Sequence, residues 1–216
     1  MLKIENTEVL GWEHAIRGMR NPMNSWEKSD SGWEPQFDTE QGPVAGEFVI
    51  GPNDYALMKN LRNAGTDHRK FMRMITVYLD VTAPLYFWKE FDTYRVGVEK
   101  NSCSTMHKIH AKEFTLEDFS CEKLYDPLGD LRPIVDRLNV YRERYLETKD
   151  KNDWWQMIQL LPTSYNQKRT VMLNYEVLAN IYKSRRHHRL DEWHTFCDWI
   201  SELPYSELIT GEVFDD

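Results

Sequence analysis

One stretch, residues 71–82, constrains the fold of this chain more than any other segment, because its residues alternate from Ile75 onward while Met72 and Met74 keep the second face partly apolar. Apolar side chains occupy every second position there: Ile75, Val77, Leu79 and Val81. A period of two places them all on one face of a β-strand, so the segment predicts a central strand of a sheet. Ala83-Pro84 interrupts the alternation, and proline is tolerated in the first turn of a helix because its missing N–H would have no partner there. The sequence therefore predicts a strand that passes directly into a helix starting at Leu85.

Helical periodicity dominates the rest of the chain. A first helix is predicted at about 8–19, and a second helix follows Asn53 or Asp54, either of which can cap it. Five later helices are marked by Met106, Ile109 and His110; by Ile134, Leu138, Tyr141 and Tyr145; by residues 154–160; by residues 171–185; and by Leu190, Trp193, Cys197 and Ile200. Residues 21–46 predict a long loop and residues 47–50 a short strand. Many helices around a small sheet make an α+β fold the expectation.

Composition limits what the protein can bind. Its 216 residues include 27 Lys+Arg and 35 Asp+Glu, a formal net charge of -8, which argues against a broad surface for nucleic acid or an anionic membrane. No apolar run approaches the roughly 20 residues of a membrane span, and the start of the sequence has no signal-peptide pattern. We therefore expect one domain over residues 1–216 in a soluble, cytoplasmic protein. The odd number and wide spacing of Cys103, Cys121 and Cys197 predict reduced thiols.

One dense basic segment stands out in this acidic chain. It contains Lys183, Arg185, Arg186, His187, His188 and Arg189. A local positive charge of this kind is what a small phosphate-bearing ligand requires, and a solvated helix end is the alternative interpretation. Asn174 and Arg185 lie eleven residues apart, which places them on nearly the same face of a helix. Arg185 is expected either to cap the carbonyl end of its own helix or to bind an anion through its planar guanidinium.

Other candidate motifs are weaker. Residues 101–105, Asn-Ser-Cys-Ser-Thr, lie before a helix, where hydroxyl and amide groups can cap the helix or bind an anion. A metal-dependent hydrolase that uses the histidines is a further class, but neither His187, His188 and His194 nor Cys103, His107 and His110 have the spacing of a zinc site, and no metal is expected. The chain has no G-x-S-x-G, no G-x-G-x-x-G and no G-x-x-x-x-G-K-[ST] motif. A dinucleotide would therefore be held without a glycine-rich loop.

Taken in order along the chain, these segments resemble the flavin-dependent thymidylate synthases. Residues 75–104 look like the strand, Ala-Pro, helix and signature R-H-R-x-x-S-x-N-E-x-S of that family, and residues 161–185 look like its L-P segment and its long helix ending in L-R. His68 falls where the family has the His of H-E-T-P-x-E-H, and residues 15–20 look like its A-x-R-A-A-R. The resemblance implies an α+β fold with a small central sheet and long helices in a homo-oligomer, which in this family is a homotetramer.

Several positions of the family pattern carry a different residue here. Thr93 and Tyr94 stand for the first two residues of R-H-R, Glu90 for a glutamine, and Ile158 and Glu176 for two arginines. The glutamate of the signature is absent, and only Arg95 of R-H-R is kept. These changes favour the alternative that the chain is a non-catalytic or re-purposed flavin- or nucleotide-binding member of the same fold.

The resemblance also implies ligands and roles. The family makes dTMP from dUMP with FAD, methylenetetrahydrofolate and NADPH. Catalytic roles are implied for Ser104, near the sugar and base of dUMP, and for Arg185, at its phosphate. Contacts with FAD are implied for His68, Thr93, Tyr94, Arg95, Asn174, Asn180 and His188, and contacts with dUMP for Glu90, Ser102, Cys103, Ser104 and Arg185.

Overall fold

A four-stranded antiparallel sheet forms the centre of the fold. The computed structural model describes residues 1–38 and 42–211, and the side chains of these residues except 36–38 and 42–45. The strands are β1 (Lys3–Leu10), β2 (Gly32–Asp38), β3 (Gly42–Val49), β4 (Thr76–Pro84), β5 (Glu99–Ser102) and β6 (Asn166–Asn174). The central sheet has the order β1-β4-β6-β5, and β2 and β3 pair in a separate two-stranded sheet. β4 and β6 pair from one end to the other, so they form the middle of the central sheet.

Helices of very different length surround this sheet. They are α1 (Trp12–Arg20), α2 (Pro52–Asn63), α3 (Leu85–Phe91), α4 (Thr105–Lys108), α5 (Pro127–Asp130), α6 (Arg132–Thr148), α7 (Lys151–Leu160), α8 (Tyr175–Arg185), α9 (Asp191–Ser201) and α10 (Glu207–Thr210). The mixture of helices with a small central sheet confirms the expected α+β class. Within residues 1–38 and 42–211, no helix combines the length and the apolar character needed to cross a membrane.

The predicted central strand is β4, but it starts later than expected. Leu79 is 1% exposed and faces the core, whereas its neighbour Tyr78 is 39% exposed on the opposite face. The strand begins at Thr76 because residues 69–73 form a 3-10 turn in which Phe71 and Met72 are both buried. Two consecutive buried side chains do not fit a strand that is covered on one face only. α3 follows Pro84 directly, as predicted.

A strand that the sequence did not predict precedes the first helix. The predicted helix at about 8–19 overlaps β1, which pairs with β4, and α1 begins only at Trp12. Gly11 separates the two elements with a φ of 95°, in the left-handed region that glycine adopts without strain. Val9 and Trp12 therefore belong to different elements, although their spacing suits one helix.

Replacement of Gly11 by alanine is expected to destabilise the protein by more than the about 1–3 kcal/mol that a strained backbone conformation costs. A Cβ at this position would lie 2.2 Å from the carbonyl oxygen of Met74, a backbone atom that cannot easily move aside. Gly65→Ala is the matched control, because the φ of Gly65 is +108° and no described atom lies within 4 Å of the added Cβ. Urea unfolding should show the larger loss for Gly11→Ala. Equal losses would mean that the contact with Met74 has no energetic cost.

The predicted helix over residues 171–185 is wrong in its first part. Residues 166–174 form β6, on which Val171 and Leu173 are fully buried at alternate positions. The helix α8 starts after Asn174, whose side-chain oxygen accepts a hydrogen bond from the backbone N–H of Val177 at 3.0 Å. The apolar residues of a buried strand run directly into those of a buried helix, so the pattern does not reveal the boundary.

The predicted loop over residues 21–46 contains regular structure. It holds two 3-10 turns, and most of β2 and β3. Residues 39–41 of this predicted loop lie outside the described residues. The predicted strand at 47–50 is the end of β3. Gly and Pro in this stretch therefore mark strands at the edge of a small sheet rather than an extended loop.

The N-cap predicted for the second helix is also wrong. Gly51 occupies the N-cap position of α2. The carboxylate of Asp30 accepts hydrogen bonds from the backbone N–H groups of Asn53 and Asp54, at 2.8 and 3.0 Å. A residue distant in sequence thus caps this helix, and Asp54 is fully buried instead of capping it.

An aromatic cluster packs α3 against α9. Its members are each at most 1% exposed: Phe87, Trp88, Phe91, Trp193 and Phe196. The ring centroids of Phe87 and Trp193 lie 4.6 Å apart, and Phe91 stacks on Trp193 at 6.0 Å. This packing holds the last turn of α3 beside α9. A second apolar cluster, around Leu138 and Met157, joins α6 to α7.

Candidate functional site

Five side chains meet where α3 ends, α8 ends and α9 begins. This Glu90 cluster consists of Glu90, Tyr94, Arg185, His188 and Trp193. Arg185 Nη1 donates to Glu90 Oε2 at 2.7 Å, and Trp193 Nε1 donates to the same oxygen at 3.1 Å. His188 Nε2 lies 3.2 Å from that oxygen. One carboxylate oxygen therefore organises the whole cluster.

Arg185 is held on several sides within this cluster. Its Nε donates to the Tyr94 hydroxyl at 3.0 Å, and its guanidinium lies over the ring of Trp193 at 4.7 Å. The side chain is 18% exposed. Its hydrogen bonds go to side chains of other elements rather than to the carbonyl end of α8, so the capping interpretation does not describe it. The anion that this guanidinium binds here is the carboxylate of Glu90.

The residues between α3 and β5 lead from the Glu90 cluster toward the start of α8. The hydroxyl of Thr93 donates to the backbone carbonyl of Glu90 at 2.7 Å, and Arg95 is exposed. Gly97, with a φ of +71°, lies so close to Asn174 that an added Cβ would be 2.9 Å from its Nδ2. Asn174 therefore has two structural contacts, one with Gly97 and one with the first turn of α8.

A second site, the basic cavity, lies between α2, the turn before β4, α8 and α10. It has a volume of about 360 Å³ and is lined by Arg62, Gly65, Thr66, Arg69, Ala179, Asn180, Tyr182, Lys183, Arg186, Ile209 and Thr210. Asn180 and Lys183 come from α8, and Arg62 comes from the end of α2. His68 directly precedes Arg69 in the turn and is exposed. Four cationic side chains thus surround one cavity in a chain of net charge -8.

Two of the cations of the basic cavity are held by groups of the protein itself. Arg69 pairs with Glu176, with Nη2 donating to Oε1 at 2.9 Å and Nε lying 2.8 Å from Oε2. Arg62 is held by the carbonyl oxygens of Leu208 and Ile209, at 3.3 and 3.4 Å. Burial and the charge of Arg69 lower the pKa of Arg62. Crowded cations of this kind are stabilised by an anion placed between them.

The predicted Ser102, Cys103 and Ser104 lie elsewhere. The backbone N–H of Cys103 donates to the carbonyl of Lys168 on β6 at 2.9 Å, and Ser104 caps α4 by accepting from the N–H of His107. Lys168 and Asn174 are six residues apart on β6, which corresponds to about 20 Å. Within one chain, this segment is therefore distant from the start of α8.

The histidines of the basic segment do not form a metal site. In the part of the chain that the structure describes, no group of three His, Cys, Asp or Glu side chains lies close enough to hold a metal ion. His187, His188 and His194 line a shallow depression of about 620 Å³ with Arg186 and Arg189.

The sequence predicted some residues of the Glu90 cluster and some residues of the basic cavity. It named Glu90, Tyr94, Arg185 and His188, which do meet, and it named Asn180, Lys183 and Arg186, which line the basic cavity. It missed Trp193, Arg62 and Arg69, because these residues stand in ordinary helical and turn patterns and meet the others only through the fold. The proximity of Arg69 to His68 was the one available signal.

No protein-family model matches this chain, and neither does any curated protein sequence. Solved structures do match. Thymidylate synthase X (ThyX) from Helicobacter pylori, crystallised with FAD and dUMP, is 16% identical, with 98% of each chain covered and a TM-score of 0.71. A second H. pylori complex of this enzyme with FAD and dUMP gives the same identity and TM-score over 97% of this chain and 98% of that chain. The UMP/dUMP methylase PolB from Streptomyces cacaoi, bound with 5-Br dUMP, is 14% identical over 98% of this chain and 95% of that chain, with a TM-score of 0.60.

These matches concern the fold. They cover nearly the whole of this chain and of each related chain, so the similarity is not confined to one motif. The protein has the fold of the flavin-dependent thymidylate synthases, as the sequence resemblance implied. At 14–16% identity, these matches do not assign roles to individual residues of this chain.

Proposed function

We propose that this protein binds FAD and that the basic cavity holds the diphosphate of that cofactor. The observation that carries the proposal is the convergence of Arg62, Arg69, Lys183 and Arg186 with the amide of Asn180 around one cavity. Guanidinium and ammonium groups are the natural partners of phosphate oxygens, and an amide can both donate and accept a hydrogen bond. The H. pylori enzyme that shares the fold was crystallised with FAD.

The residues of the cavity suit an anionic cofactor. Arg69 is already paired with Glu176, whereas Lys183 is exposed and can turn toward a ligand. The hydroxyl of Thr66 can donate to a phosphate oxygen at the mouth of the cavity. When FAD is bound, its flavin supplies hydride and electron transfer, while the protein positions it. The resemblance also implies contacts with FAD for residues outside the basic cavity: Thr93, Tyr94, Arg95, Asn174 and His188. We propose that these residues contact other parts of the cofactor, or a cofactor held by another subunit.

A second proposal concerns the reaction. Since ThyX and PolB share this fold and bind dUMP or a brominated analogue, we propose reductive methylation of a uracil-containing substrate, with methylenetetrahydrofolate as carbon donor and NADPH as reductant. In the family that the sequence resembles, the sites form between the subunits of a homotetramer. We therefore propose that the chain, as one domain, works in a homotetramer. A flavin- or nucleotide-binding protein without this activity is the alternative.

The first test is FAD uptake by the purified protein. After incubation with FAD and gel filtration, flavin absorbance is expected to elute with the protein at about one flavin per chain. A colourless protein that takes up no FAD would contradict the proposal. Light scattering in the same run is expected to show an oligomer rather than the 25.8 kDa chain.

The second test separates binding from catalysis. FAD-loaded protein is incubated with dUMP or 2′-deoxyuridine, methylenetetrahydrofolate and NADPH, and the thymine products are measured by chromatography. Product formation supports the methylase proposal. Stoichiometric FAD with no product from either substrate would leave the non-catalytic flavin protein as the function.

A further inference from the structure

The Glu90 cluster is electrically neutral as it stands. The backbone N–H of Leu190 donates to His188 Nδ1 at 3.2 Å, so that nitrogen carries no proton. The imidazole is then uncharged, with its proton on Nε2, the nitrogen that lies 3.2 Å from Glu90 Oε2. Glu90 contributes one negative charge and Arg185 one positive charge. Among the five side chains of the cluster, no net positive charge is left.

From this arrangement we infer that Glu90 determines substrate class: the Arg185 site takes an uncharged pyrimidine nucleoside and rejects its 5′-monophosphate. The inference rests on the proposed methylation of a uracil-containing substrate. A phosphate monoester carries about two negative charges near neutral pH. At Arg185 it would meet a guanidinium whose Nη1 is engaged at 2.7 Å by a carboxylate. Two like charges at such close range repel each other, and the protein would have to break an existing ion pair to admit the phosphate.

Glu90 is also placed to recognise a neutral ligand. All three cluster contacts go to Oε2, and the side chain is 34% exposed, so Oε1 can accept a hydrogen bond from a ligand. The imide N–H of uracil and the hydroxyl groups of a sugar are donors of the required kind. The carboxylate cannot move away from Arg185 without also leaving Trp193 and His188. The acceptor is therefore held in position before the ligand arrives.

The negative charge of Glu90 is the feature that excludes a phosphate, and a single substitution can remove it. Glutamine in place of glutamate keeps the shape and an acceptor oxygen for Arg185 or Trp193, but it removes the negative charge. Arg185 would then be an uncompensated cation, which attracts phosphate. A charge-assisted hydrogen bond to phosphate corresponds to roughly a ten- to hundredfold change in affinity.

The experiment compares dUMP and 2′-deoxyuridine by calorimetry on wild-type protein, Glu90→Gln and the control Glu99→Gln. Glu99 is exposed on β5 and gives the same change in net charge. Wild type is expected to bind 2′-deoxyuridine at least as tightly as dUMP. Glu90→Gln is expected to bind dUMP roughly ten- to hundredfold more tightly than wild type and 2′-deoxyuridine within about threefold of wild type. Glu99→Gln is expected to leave both affinities unchanged.

Several results would overturn the inference. A wild-type protein that binds dUMP tenfold or more tightly than 2′-deoxyuridine would do so, and this comparison holds even if Glu90→Gln fails to fold. Equal gains in dUMP affinity for Glu90→Gln and Glu99→Gln would show a general charge effect. Flavin uptake without binding of either nucleoside or nucleotide would refute the inference and leave the FAD proposal standing. The predicted affinity pattern without flavin uptake would support the inference and refute the FAD proposal.

Discussion

Replacement of Asp54 by alanine is expected to lower the free energy of unfolding by about 3–5 kcal/mol, the largest stability effect that we predict. Asp54 is fully buried, and Arg20, which is 4% exposed, donates to its Oδ1 at 2.6 Å. Alanine would leave the guanidinium of Arg20 buried beside a cavity without its carboxylate. Urea unfolding followed by circular dichroism measures the loss. Asp67→Ala is the control, because Asp67 is exposed.

The rest of the Asp54 environment explains the size of this effect. Its Oδ2 accepts hydrogen bonds from the hydroxyl groups of Ser29 and Ser31, at 2.6 and 2.7 Å, and from the backbone N–H groups of Asp30 and Ser31. Asp54 thus ties the segment before β2 to α2. A loss below about 1 kcal/mol for Asp54→Ala would mean that Arg20 finds other partners and that this network is not important for stability.

The same residue gives stability a defined dependence on pH. Burial raises the pKa of Asp54, but hydrogen bonds from Ser29, Ser31 and Arg20 and the charge of Arg20 outweigh it, so the pKa is lowered. A carboxyl group with a lowered pKa stabilises the folded state above its unfolded pKa of about 3.9, and this stabilisation is lost as the pH falls through the folded pKa. Asp54→Asn should therefore lose less stability relative to wild type in acid than at pH 7. The same difference at both pH values would contradict this assignment.

Reversal of one charge in the basic cavity is expected to have the largest effect on ligand binding. Lys183→Glu replaces a cation that lines the cavity with an anion, and it should weaken FAD binding roughly ten- to hundredfold or more. Titration of flavin fluorescence measures the affinity. Lys183 is exposed on α8, so the variant should fold normally.

The control for this variant is Lys151→Glu. Lys151 is exposed at the start of α7, away from the cavity, and its reversal gives the same net charge. Wild-type FAD affinity is expected for this control. If both variants lose affinity equally, the effect comes from net charge, and the diphosphate is not in the basic cavity.

The sequence predicted the secondary structure best in segments whose apolar residues follow a single period, that of a strand or that of a helix. The alternation around Val77 and Leu79 has a single structural interpretation, and the expected strand and the helix after it are present as β4 and α3. Around Val171 and Val9 two patterns overlap, since apolar residues of a strand continue into those of a helix. At the boundary between β6 and α8, the side chain of Asn174 caps the helix. This contact is local, but the sequence pattern does not distinguish a capping Asn174 from an Asn174 inside a helix.

The sites could be predicted only in part, because their chemistry depends on partners distant in sequence. The guanidinium of Arg185 is recognisable as an anion binder, but the anion that it meets here, Glu90, lies 95 residues away. Likewise, Arg62 carries no motif, and it lines one cavity with Lys183 of the basic segment only because α2 and α8 converge. A resemblance supplies such partners when the family residue is kept. At Glu90 and Glu176 the family residue is replaced, so the contacts of these two side chains are known only from the structure.

The most direct test of the central claim is a crystal structure of the protein with FAD bound. The account predicts the diphosphate of FAD in the basic cavity, with Lys183 Nζ and the amide of Asn180 within hydrogen-bond distance of phosphate oxygens or the adjoining ribose. It also predicts that Arg185 stays paired with Glu90 in that complex. A diphosphate bound at Arg185, with the pair to Glu90 broken and the basic cavity empty, would contradict both the assignment of the cofactor site and the role given to Glu90.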